Sequence, residues 1–152
     1  MKHPTLSEIE ILVDKFENRS LPKDDWTHGA HLTVGAWYVL NYPIEQAIDL
    51  IRNNIKSYNE SIGGKNTETA GYHETITLFY MFEMDSFFKS ISFETSSEAL
   101  SMFFSSKIVS KEYPFMFYST SLLSSIEARK NWMEPDLKPL SKNAYSQAES
   151  NT

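Results

Sequence analysis

The stretch PIEQAIDLIRNNIKSY, residues 43 to 58, constrains the chain more than any other. Apolar residues recur at Ile44, Ala47, Ile48, Ile51, Ile55 and Tyr58. This is the three-and-four spacing of one helical face, not the alternation of a strand. Pro43 opens the segment at a first-turn position, where a helix tolerates proline. The other face carries Glu45, Asp49, Arg52 and Lys56 and is expected in solvent.

Most of the remaining segments carry helical patterns. A first helix is expected from Thr5 or Ser7 to Phe16, with Ile9, Leu12, Val13 and Phe16 on one stripe. NRSLPKDD breaks it, and a second helix begins between Asp24 and Thr27 and runs to Asn41. The glycine-containing loop ESIGGKNTETAG closes the third. Residues 72–91 carry two signals. Ile76, Leu78, Tyr80 and Phe82 alternate like a strand, whereas the length and the continuation through Phe87, Phe88 and Ile91 suit a helix buried on most sides, the preferred reading. Further helices are expected over Ser97–Ile108 and after a capping box of Ser124 and Glu127, the latter stopped by Pro135. The expectation is an all-α bundle of five or six helices in one domain, residues 1–140, followed by a mobile C-terminal tail over 141–152.

Charge and composition narrow the function. A net charge of −6 disfavours nucleic acid, whose phosphates need a basic surface, and disfavours adhesion to an anionic membrane. No cysteine is present, so thiolate metal ligands and thiol nucleophiles are excluded. The N-terminal residues lack a signal-peptide core and no apolar run reaches membrane-spanning length, which makes the cytoplasm the expected location.

Chemistry points to the histidines. The chain has four, and three fall in two aromatic-flanked clusters, WTHGAH with His28 and His31, and GYHET with His73. On a helix, residues three apart share a side, so His28 and His31 can face one ion. The positive end of a helix favours the neutral imidazole that binds metals. Three imidazoles with an open position would form a catalytic zinc site, and two with a carboxylate would suit iron. Glu74 lies about 100° around the helix from His73 and is placed as a general base on a bound water. The arrangement departs from HExxH because Thr77 stands where the second histidine would be. The plainer alternative is that each histidine hydrogen-bonds a carbonyl or packs in the core, with Trp26 and Tyr72 as ordinary core aromatics.

Among other residues, Arg129 can clamp an anionic group, or pair internally with Glu127, Glu134 or Asp136. Tyr118, Trp26 and Tyr72 complete the set of candidate substrate contacts. IGGKNT lacks the earlier glycine of a phosphate-binding loop.

Taken together, W-T-H-x-x-H-L, G-Y-H-E-T-I-T and P-D-L-x-P-L resemble the pattern of a group of small uncharacterised bacterial proteins, over most of residues 16 to 140. The resemblance implies a bacterial, cytoplasmic protein and carries no reaction with it. The residues favour a metal-dependent enzyme, a hydrolase of some small molecule, with zinc or iron on His28, His31 and His73. A non-catalytic helical module for a ligand or a protein partner, and a metal-free acid–base enzyme, are the alternatives.

Overall fold

The computed structural model describes residues 3–141. Among them the regular structure is helical: seven α-helices and three single 3-10 turns, without a strand. Five helices are long, α1 (Leu6–Glu17), α2 (His28–Asn41), α3 (Ile44–Ser61), α4 (Glu74–Ser90) and α5 (Ser96–Phe104). Two are short, α6 (Thr120–Leu123) and α7 (Ile126–Lys130). The count exceeds the expected five or six because residues 105–130 are cut into turns. α5 stops at Phe104, two of the 3-10 turns follow at Lys107–Val109 and Tyr113–Met116, and Pro114 lies inside the second. The start of α2 also shifts, because Lys23–Asp25 forms a separate turn and the helix begins at His28.

Side-chain caps set most helix starts. Thr5 and Glu8 form a reciprocal capping box on α1, and Thr27 accepts from the Ala30 N–H at the head of α2. α7 is capped by Ser125, whose hydroxyl accepts from the Ala128 N–H, rather than by Ser124, which ends α6. The expected cap was one residue early.

α4 is the central helix. It packs against α2, α3, α5 and α7, and α1 closes over α2 and α3. Ten of its seventeen residues are buried, among them Phe79, Met81, Met84 and Glu83. A helix enclosed on so many sides has little apolar periodicity to show, which explains the strand-like alternation of its sequence. α2 approaches it closely through Gly35, where an added Cβ would lie 3.4 Å from the sulfurs of Met81 and Met84. The Tyr38 hydroxyl joins three helices, donating to Glu17 of α1 and accepting from Asn54 of α3. No helix among the described residues is long and apolar enough to cross a membrane.

The expected tail lies outside the described residues except at its first position. Ser141 belongs to the domain, since its N–H and hydroxyl both donate to the buried Glu83 carboxylate, at 2.9 and 2.8 Å.

Candidate functional site

The first turn of α2 places His28 and His31 on one side of the helix, and both line a cavity of about 340 Å³ between α2, α3 and α4. The His31 ring is fixed from behind. Its Nδ1 donates to the Thr27 carbonyl at 2.8 Å, and Trp26 stacks on it with centroids 3.8 Å apart. Trp26 in turn lies against Phe16 at 4.3 Å. Trp26 therefore supports His31 instead of lining the cavity, and its buried indole N–H has no hydrogen-bond partner among the described residues. The His28 Nε2 donates to the Val109 carbonyl at 3.0 Å, and its ring meets Tyr80 edge-on.

These bonds determine the tautomers. A carbonyl can only accept, so the bonded nitrogen of each ring carries the proton. In the neutral form of each ring, Nδ1 of His28 and Nε2 of His31 are left as acceptors. Burial pushes the His31 pKa below the usual histidine value, and the neighbouring His28 adds to this against the opposing bond to Thr27.

The rest of the cavity is mainly apolar. Leu32 and Gly35 of α2, Ile51 and Ile55 of α3, and Ile76, Met81 and Met84 of α4 form the walls, with Thr77 and Tyr80 as further polar groups. The Tyr80 hydroxyl is already used, donating to the Ser110 carbonyl at 3.1 Å. No carboxylate lines the cavity among the described residues.

His73 lies elsewhere and has a different task. It is the N-cap of α4, with Nδ1 accepting from the Ile76 N–H at 3.1 Å and Nε2 donating to the Leu123 carbonyl at 2.9 Å. Both nitrogens are committed. Burial lowers its pKa, and the Arg129 charge lowers it further against the bond to Leu123.

Glu74 opens toward a second, polar cleft of about 310 Å³, which Tyr72 and Arg129 also line. Three residues selected from the sequence therefore do come together, but away from His28 and His31. Arg52 binds both Glu74 oxygens, and the Tyr72 hydroxyl donates to Oε1 at 2.6 Å. Burial alone would raise the Glu74 pKa. The bonds from Arg52 and Tyr72, with the charges of Arg52 and Lys56, outweigh it and hold the carboxyl below its usual range. A base held in this way by a guanidinium and a phenol is poorly suited to take a proton from water. Arg129 donates to the Gly71 carbonyl at 2.7 Å rather than to an acid.

Among the described residues no three His, Asp or Glu side chains gather in a metal-holding group. The expected three-imidazole site is not assembled, because His73 faces Leu123 while His28 and His31 face the α2–α3–α4 cavity. Tyr118, expected as a substrate contact, is fully buried and donates to the Met133 carbonyl at 2.7 Å. Asp136 fixes a turn, accepting from the N–H and hydroxyl of Ser119. Arg52, expected on the solvated face of α3, is the principal partner of Glu74. The residues that sequence reasoning missed, Thr77, Tyr80, Met81 and Met84, lie three, four and seven positions after the first along α4, on one helical face. That spacing is their only sequence signal. Comparison with protein-family models, with curated proteins and with solved structures finds no match.

Proposed function

We propose that the protein is a small-molecule binding module whose ligand occupies the cavity between α2, α3 and α4. The observation that carries this reading is the contrast within the cavity. Its walls are mainly aliphatic and thioether, yet two fixed imidazoles in its lining each leave one ring nitrogen without a partner among the described residues, an acceptor whenever the ring is neutral. Such a site suits a compact apolar molecule bearing an O–H or N–H donor. Apolar area supplies affinity, and the imidazole acceptors set orientation. At about 340 Å³ the volume is at the small end of ligand pockets. Methionines in the wall allow adjustment to ligand shape.

The metal-dependent hydrolysis expected from the sequence finds neither its third ligand nor its base at this cavity. His73 is occupied as a helix cap and Glu74 by Arg52. Binding without chemistry requires neither group.

The test is a fluorescence titration with 2-naphthol, a neutral fused ring with one O–H donor. Saturable binding is expected for the wild type and is lost in Gly35→Leu, which places a side chain in the cavity. Binding that Gly35→Leu leaves unchanged, or no binding at all, sinks the reading.

A further inference from the structure

We infer that the polar cleft between α3, the 66–72 loop and α7 is a binding site for a phosphate dianion, free or carried as a small phosphomonoester. Four cationic side chains, Arg52, Lys56, Arg129 and Lys130, line the cleft, against the carboxylates Glu68 and Glu74. In a chain with net charge −6 that local excess runs against the composition.

The charges divide into a paired group around Arg52 and an open group. Arg52 is fully engaged, holding Glu74 by a two-point contact sealed by the Tyr72 phenol and Asp49 through its other nitrogen at 2.9 Å. Among the described residues Lys56, Arg129 and Lys130 make no ion pair. The ammonium of Lys56 rests 5.1 Å from the centre of the Tyr72 ring. Arg129 is held through Nη1, which donates to the Gly71 carbonyl at 2.7 Å and weakly to the Tyr72 carbonyl at 3.5 Å, while its Nε and Nη2 donors have no partner among the described residues. Among the residues lining the cleft, with Asp49 behind Arg52 outside the lining, three open cations against Glu68 leave an excess of two positive charges. This is the charge of a phosphate monoester above its second pKa of about 6. One guanidinium and two ammonium groups supply enough N–H donors for three phosphate oxygens.

The surroundings fit a built site better than a casual patch. Asn66 organises the loop at the cleft wall. Its amide donates to the Lys56 carbonyl, and its oxygen accepts from Tyr72 N–H and from Asn59. Gly71 allows the loop to close at φ +82°, where an added Cβ would come within 2.3 Å of the Lys65 carbonyl. A cleft of about 310 Å³ has the size of one small ligand. The proposal is independent of the apolar cavity, which is lined by none of these residues.

The test is calorimetric titration of the whole chain at low ionic strength and near-neutral pH, with phenyl phosphate, inorganic phosphate and succinate as probes. Phosphate binding that weakens with added salt is expected. Lys56→Gln and Lys130→Gln should each weaken it about three- to tenfold, with the effects multiplying in the double variant, while the Lys→Arg counterparts retain it. Neither lysine donates a hydrogen bond within the described structure, so both variants should fold, and an unchanged melting temperature verifies this. Phenyl phosphate binding more tightly than inorganic phosphate assigns the site to an ester, and equal affinity assigns it to the free ion. The proposal is overturned if neither phosphate binds, if succinate binds as well as the phosphates, or if both Gln variants bind like the wild type.

Discussion

Arg52 of α3 holds Glu74 of α4 by two hydrogen bonds, Nε to Oε1 at 3.0 Å and Nη2 to Oε2 at 2.7 Å. The contact joins two helices at the point where α4 begins, with both side chains largely removed from water. It converts the most base-like residue of the sequence into a structural tie.

Glu74→Gln should accordingly act on stability. Losing one partner of a partly buried, charge-assisted pair costs about 1–3 kcal/mol in urea unfolding, between the values for exposed and fully buried pairs. The wild type should also show the acid signature of the pair. The folded pKa of Glu74 lies below its unfolded value near 4.5. The stabilisation is therefore complete above pH 4.5 and is lost as pH falls through the folded pKa. Glu74→Gln should flatten that part of the profile and leave 2-naphthol binding unchanged. A variant as stable as wild type across the acid range would contradict the assignment.

His73 predicts a separate pH effect at higher pH. It caps α4 only as a neutral ring, because a protonated Nδ1 would point a hydrogen at the Ile76 N–H. The folded pKas of His73 and His31 are lowered from 6.5. On acidification the unfolded chain takes up these protons first, so stability falls from about pH 6.5 down to the folded values, by less than about 1.4 kcal/mol per pH unit per group. His73→Asn keeps a cap acceptor and removes one titrating group, so its profile should be shallower. His73→Ala should lose about 1–2 kcal/mol at neutral pH through the missing cap. Urea midpoints measured from about pH 7.5 to about pH 5 separate the two variants.

Gly35→Ala is expected to stabilise the protein while weakening its ligand site. The new methyl would be 3.4 Å from flexible methionine atoms, a contact they can relieve by a small shift. Replacing glycine inside a helix gains about 0.5–1 kcal/mol. The same methyl occupies part of the cavity, so the melting temperature should rise as 2-naphthol affinity falls. A fall in both would show that Met81 and Met84 cannot move.

Gly71→Ala should be costly for a small substitution. Its positive φ strains any L side chain, and the Lys65 carbonyl blocks the added atom. A loss above about 1 kcal/mol is expected, with faster amide hydrogen exchange across residues 62–72. Because the Gly71 carbonyl orients Arg129, phenyl phosphate affinity should fall with it.

What the sequence made legible was whatever depends on near neighbours. The stripe of α3 appeared as buried Ala47, Ile51, Ile55 and Tyr58, and the spacing of His28 and His31 did place both rings on one cavity. The misreadings involve partners far along the chain. Arg52 and Glu74 are 22 residues apart, and His73 meets Leu123 across 50. A single sequence carries no register for such pairings, so a histidine that caps a helix and one that lines a cavity look the same. The 105–130 region was hidden for another reason. Its short turns are shaped by packing against α4 and offer too few residues for a period to develop.

The attachment of Ser141 to Glu83 has a consequence for how the chain matures during synthesis. Glu83 lies at the centre of α4 and receives three hydrogen bonds, one from Tyr113 and two from Ser141, 58 residues downstream. Until Ser141 has left the ribosome, the central helix can bury this acid only with most of its donors missing, and a buried carboxylate in that state is expensive. The full set of bonds that accompanies burial of Glu83 is therefore expected only once residue 141 is available.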